Sequence, residues 1–365
     1  MSATPGLSLA MFSHLQAVPD SHSYTDELEL FITAEHLGFD TAWVRQFHLR
    51  EASGPHTSGG LPSPFVLLAA LATCTTRLHL GTAAVTLPLE NPVRVAEDAA
   101  VLDRLSGGRV ELGVANGGGA PGLLELFAHD GDPVPGGADV EAAKDRYGQL
   151  LTRLLHALDG HALTTRGQRL NPPAPGLGDR VWEAVLTARS AAEAARRGHG
   201  ILVGTTQTVP AEVTAAAYHE ALPAGVVPRV AVSTAIHPAR SREEALRKAA
   251  PGIEAKYAWG ASFLGEATTL AQKAARLNLH HGTAQDIAAS LLASPWLEHA
   301  TQLNVQVELG PADFGARAEA LALFAEQVAP HVGWTAPSAD PPTGPPGAQV
   351  ADPGARRADL VGTRA

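Results

Sequence analysis

The sequence predicts a (β/α)8 TIM barrel, and three observations carry that expectation. Short apolar runs alternate with longer stretches of helical period along most of the chain. Eight such runs fall within residues 1–335, which suits one barrel with insertions. Of the 365 residues, 45% are hydrophobic and 18% charged, so the apolar material for a large core is present. A doubly wound open sheet fits the same alternation, because strand order cannot be read from the residues.

The elements follow in order. "LSLAMFS" (7–13) reads as the first strand. Ser23 and Asp26 are spaced as a capping box, and Leu28, Ile32 and Leu37 then line one helix face up to Gly38. "FDTAWV" is strand two, "PFVLLAALATCTT" a buried helix, and "RLHLGTAAVTL" a third strand with a glycine inside it. Asn91-Pro92 opens the next helix, where the missing proline N–H costs nothing. Its predicted buried stripe is Val95, Ala99, Leu102 and Leu105, and Gly107-Gly108 ends it. "RVELGVA" is strand four, followed by a helix from Glu141 to Leu158. "RVWEAVL", "GILVG", "RVAVSTAI" and "LNVQVEL" complete the strands. The helices between and after them are "AAEAARRG", a span from about Arg242 to Trp259, and "ARAEALALFAEQVAPHV". Residues 336–365 hold six prolines and four glycines without periodicity and read as a disordered tail.

Composition narrows the function. A formal net charge of −10 argues against a nucleic-acid footprint, which needs a basic face. The single cysteine, Cys74, can form no internal disulfide and reads as a small buried residue. The N-terminus has no basic region ahead of an apolar run, and no apolar stretch is long enough to span a membrane. The expectation is therefore a cytoplasmic protein that binds neither nucleic acid nor membrane.

"GGGAPG" (117–122) matches G-x-G-x-x-G and follows a strand, but no acidic residue ends a next strand about 20 residues on. It reads better as a loop at the barrel mouth. The sixteen histidines are scattered, and even the adjacent His280 and His281 have few carboxylates nearby, so no metal site is expected. His14 directly follows strand one and His48 directly follows strand two. In a parallel barrel both then lie at the C-terminal face, where active sites are built. A histidine there has a pKa suited to proton transfer near neutral pH.

Three stretches together resemble the bacterial luciferase-like, flavin-dependent monooxygenase superfamily. They are "LGFDTAWVRQFH", the block from "LPSPFVLLAALATCTTRLHLGTAAV" through "GRVELGVANGG", and "VWEAVLTARSAAEAARRGHGILVGTTQ", with a return at "LNVQVELGPADFGARAEALALFAEQVAP". The resemblance implies a (β/α)8 barrel, commonly a homodimer, that holds flavin across its C-terminal mouth. It implies reduced FMN supplied by a separate flavin reductase, O2 adding to that flavin, and the flavin hydroperoxide oxidising a small organic substrate. The protein's share is to hold the ring, exclude water and control proton delivery.

Carried over residue by residue, "GTAAV" is the strand behind the flavin ring. Thr82, Ala83 and Ala84 would let the ring approach, with a non-proline cis peptide at Ala83–Ala84. Asn116 and Gly117 lie where several relatives meet the phosphate with an arginine, and Thr187, Arg189 and Ser190 offer a second anion site at a helix N-terminus. The strand-two motif reads Gln46-Phe47-His48-Leu49, with Phe47 at the position of the first of two histidines. His48 then keeps the acid/base role and Gln46 orients groups near the ring. Phe47 and His14 line the substrate pocket. Two alternatives remain open: hydride transfer with a deazaflavin, which the altered phosphate loop would suit, and a non-catalytic flavin-binding accessory barrel. The loops "REASGPHTSGG" and "FAHDGDPVPGGADVE" would shape substrate choice.

Overall fold

The fold is seen in a computed structural model, which describes residues 6–15, 24–49, 59–117, 121–127, 140–204, 209–307, 309 and 313–337. Ser23, read from the sequence as part of a capping box, most of the two substrate loops and the tail beyond residue 337 lie outside them.

The first half of the chain runs β1 (Ser8–Ser13), α1 (Tyr24–His36), β2 (Thr41–Val44), α2 (Pro64–Ala72), β3 (His79–Thr82) and β4 (Val85–Thr86). It continues through α3 (Pro92–Ser106), β5 (Val110–Ala115), α4 (Pro121–Phe127) and α5 (Val140–Leu158). The second half runs β6 (Val181–Val185), α6 (Ala188–Arg196), β7 (Gly200–Val203), α7 (Ala211–Ala221), β8 (Val230–Pro238) and α8 (Arg242–Leu264). It ends with α9 (Leu270–Arg276), β9 (Leu279–Gly282), α10 (Ala284–Leu292), β10 (Gln302–Gln306) and α11 (Phe314–Leu323).

Eight of these strands close a parallel barrel in the order β1-β2-β3-β5-β6-β7-β8-β10, with β10 pairing both β8 and β1. The closed order decides for the barrel over the open sheet. β4 continues β3 along β5, and β9 extends the sheet beside the far end of β8.

Alternation along the strands divides the apolar residues into two sets. Leu9, Met11, Ala42 and Val44 face the helices and join the main core. Ala10, Phe12, Trp43, Trp182, Leu202 and Ala231 form a separate cluster inside the barrel. Two glycines make room for the indoles there. A Cβ on Gly81 would stand 2.1 Å from the Trp43 ring, and one on Gly200 would stand 2.4 Å from the Trp182 ring. The two indoles meet edge to face at 5.4 Å. Each indole N–H is satisfied lower down: Trp43 Nε1 donates to Gln302 Oε1 at 2.6 Å and Trp182 Nε1 to Glu111 Oε2 at 2.7 Å. The lower barrel is therefore a filled floor, as expected for this architecture.

Four sequence expectations need correction. Leu105 is 51% exposed, because the buried face through Val95, Ala99 and Leu102 continues to Ser106 at helical period. Cys74 is exposed, since α2 ends at Ala72 and leaves it in the following turn. The third strand is interrupted at Ala83–Ala84. The helix expected to end at Trp259 runs on to Leu264, and α9, β9 and α10 follow before the last barrel strand. His280 and His281 lie on β9, where His280 Nδ1 sits 2.8 Å from Ser290 Oγ. Burial pushes the His280 imidazole down to about 4.

Candidate active site

The C-terminal ends of the strands form a mouth with two unlike halves. On one side, β3, β5, β6 and β7 present small side chains toward it. Ala83 and Ala115 are half-buried, whereas Ala184 and Gly204 are exposed. Ala184 is the telling one. It lies two residues beyond Trp182 on the same face of β6, so its exposure shows that the cleft begins directly above the tryptophan floor. The Ala83–Ala84 peptide at the edge of this cleft is cis. Thr82 serves the seam instead: its buried Oγ1 donates to the Gly113 carbonyl at 2.7 Å and accepts the Gly113 N–H at 2.9 Å. Gly117, at φ +67°, closes tightly on β4, since a Cβ there would lie 2.2 Å from Thr86 Cγ2. Asn116 is half-buried beside it.

On the other side, β1, β2, β10 and α8 bring polar and aromatic groups together. His14 is buried with Nδ1 3.4 Å from an Arg45 guanidinium nitrogen and Nε2 3.5 Å from Lys256 Nζ. Burial first, then the two neighbouring cations, pushes its pKa well below the usual imidazole value, despite a hydrogen bond with Gln306 that acts the other way. His14 is therefore neutral at neutral pH. The Arg45 guanidinium lies 5.3 Å from the centre of the Phe47 ring and 5.8 Å from that of Trp259, with Lys256 Nζ 5.4 Å from the latter.

Between the halves lies the strand-two motif. Gln46 is buried and fully used. Its carbonyl accepts the Thr86 N–H at 2.8 Å, and its amide donates to Glu90 Oε1 at 2.7 Å and to the Pro62 carbonyl at 3.3 Å. His48 sits against Phe127 of α4, ring centres 4.6 Å apart, with Nε2 3.9 Å from Glu90 Oε1. That nitrogen is buried and has no hydrogen-bond partner. Burial lowers the His48 pKa, and Glu90 partly opposes the shift.

The structure thus gathers Ala83, Ala84, Gln46, Phe47, His48 and His14 around one mouth. At the helix N-terminus expected to meet the phosphate, the polar groups already have partners within the chain. Arg189 is exposed, held by Glu141 at 3.1 Å and by Glu193 at 3.0 Å. Thr187 and Ser190 spend their hydroxyls on each other in a reciprocal cap of α6. Sequence reasoning passed over Glu90, Arg45, Lys256 and Trp259. A signal existed for two of them, since Lys256 and Trp259 are three residues apart and so share one face of α8.

Residues 6–321 match the model of a family described as luciferase-like monooxygenase. Two proteins of Sinorhizobium fredii, y4vJ and y4wF, share 28% identity over 186 residues and 31% over 212. Those alignments take in 49% and 53% of this chain, and the chain spans about half the length of these relatives, 48% and 55%. The alkanal monooxygenase alpha chain of the Kryptophanaron alfredi symbiont is 44% identical over 84 residues, 23% of this chain and 22% of that one. Among solved structures, monooxygenase RslO1 of Streptomyces bottropensis superposes with a TM-score of 0.70 at 22% identity, covering 89% of this chain and 99% of that one. The oxygenating constituent of a Pseudomonas putida 3,6-diketocamphane monooxygenase, in complex with FMN, gives 0.67 at 17% identity (89% and 98% covered). The coenzyme F420-dependent tetrahydromethanopterin reductase of Methanopyrus kandleri gives 0.64 at 16% identity (90% and 100% covered). These structural likenesses speak for the fold alone, whereas the family match runs through every strand of the barrel. The chain belongs to the luciferase-like monooxygenase family.

Proposed function

We propose that this chain is the oxygenase of a flavin-dependent monooxygenase, taking reduced FMN from a separate reductase and acting with O2 on a small organic substrate. The observation that carries the reading is the small-residue cleft. Ala83, Ala115, Ala184 and Gly204 leave room above a filled floor, and side chains this small would allow the close approach of a planar ring system. When bound, a reduced flavin supplies the electrons that activate O2.

The residues of the chain have defined tasks in this reading. The Trp43–Trp182 floor fills the barrel beneath the cleft and would keep water from the underside of the ring. His48, neutral at neutral pH because burial lowers its pKa, would accept or relay a proton at its imidazole. Phe47 cannot transfer a proton and contributes apolar wall beside Arg45. Gln46 holds the Thr86 backbone and Glu90 in place, which makes it a positioning residue. The decisive experiment is anaerobic loading with reduced FMN followed by rapid mixing with O2. Reoxidation slower than that of free reduced FMN supports the reading. Reoxidation at the free rate, with no oxygenated product from any organic substrate, rejects it in favour of an accessory barrel.

A second reading is hydride transfer with a deazaflavin. It is favoured by Asn116 at the phosphate loop and by the capture of Arg189 by two glutamates, which leave the FMN phosphate fewer charges. Competition between the two reduced cofactors separates the readings. Tighter binding of the deazaflavin would overturn the first.

A further inference from the structure

The Gln46-Phe47-His48-Leu49 tetrad contains no carboxylate, yet the fold brings one to it from another part of the chain. Glu90 lies 44 residues beyond Gln46, immediately before the Asn91 cap of α3. Its Oε1 is fixed by the Gln46 amide at 2.7 Å, and Gln46 is itself fixed by the Thr86 N–H at 2.8 Å. That chain of two hydrogen bonds sets Oε1 3.9 Å from His48 Nε2, a buried nitrogen with no hydrogen bond of its own. The ring also packs against the uncharged ring of Phe127, centres 4.6 Å apart.

We propose that Glu90 is the positioning residue for His48: its carboxylate, aimed by Gln46, orients the imidazole through Nε2–H and stabilises the ring when its other nitrogen takes up a proton. The role given to that proton rests on the monooxygenase reading. The pairing itself rests on the geometry.

The chemistry is simple to balance. A proton leaves the reacting group and bonds to the Nδ1 lone pair of the ring, which becomes an imidazolium whose Nε2–H faces an existing carboxylate. A movement of about 1 Å brings the pair from 3.9 Å into hydrogen-bond range, and a charge-assisted bond there is stronger than a neutral one. Glu90 is the charged group that acts on the ring among the described residues.

The test is the titration of His48 by NMR in the full chain, wild type against Glu90→Gln. A glutamine at 90 keeps a carbonyl that can accept from the Gln46 amide, so the scaffold survives while the charge is lost. The expected result is a fall in the His48 pKa of about half a pH unit or more, with flavin affinity unchanged. The limb of the pH–turnover profile that reports His48 should move the same way. Glu90→Asp, which keeps the charge on a shorter arm, should give an intermediate pKa, and it serves as the measurement if the glutamine variant fails to fold. A His48 pKa that does not move in either variant overturns the pairing. Because this titration needs no flavin and no substrate, a shifted pKa in a protein that oxidises nothing would sink the monooxygenase reading and leave the pairing standing.

Discussion

His48 presents a buried nitrogen without a hydrogen bond at the one point of the mouth where a histidine survives in the strand-two motif. On the proposed reading, His48→Ala should lower product formation by about two orders of magnitude or more and leave flavin binding intact, as for loss of a positioned acid or base. Unchanged turnover would reject the proton role. Its position was legible in the sequence, because a histidine just after a barrel strand falls at the C-terminal face. Its surroundings were not. Glu90 joins it only through the closure of β2 onto β3 and β4, a contact spanning more than forty residues that no local pattern encodes. Arg189 shows the converse. The sequence offered a cation at a helix N-terminus, but Glu141 from α5 and Glu193 on its own helix claim it.

At the scale of the element, β6 carries both the floor and the cleft. Trp182 fills the barrel, and Ala184, one step higher on the same face, is exposed. Ala184→Trp should therefore weaken flavin binding at least tenfold while leaving the melting temperature nearly unchanged, because the new side chain occupies open space. Flavin titration and thermal unfolding of one sample check both halves. Gly81→Ala should do the opposite. Its Cβ would fall 2.1 Å from the Trp43 ring, and such overpacking costs about 1–3 kcal/mol, measurable by urea unfolding. The strands themselves were legible as short continuous apolar runs, since burial on both faces leaves no polar side to interrupt them. The unit α9–β9–α10 was missed because its strand has four residues, two of them histidine, and gives no apolar run. The error at Leu105 has a similar origin, a hydrophobic residue one position off a buried face.

For the whole molecule, stability should be lost on mild acidification. His14 and His280 are both buried with pKa values held below 6.5, so the unfolded chain binds protons that the folded chain refuses. Stability is then full above about 6.5 and declines as the pH falls toward the folded values. For His280, a drop from 6.5 to about 4 corresponds to about 3 kcal/mol at the acid end. A melting temperature that stays flat from pH 7 to 4.5 would contradict this. No helix among the described residues is long and apolar enough to cross a membrane. The tryptophan floor has a kinetic consequence as well. On the proposed reading, the Trp43–Trp182 pair floors the barrel, so cofactor, organic substrate and oxygen would meet at the rim formed by the C-terminal ends of the strands. A cofactor bound above Ala184 would then be covered by the substrate that follows it. Steady-state rates should thus follow an ordered sequence with the cofactor first on and last off, and a random order of addition would mean a second way in.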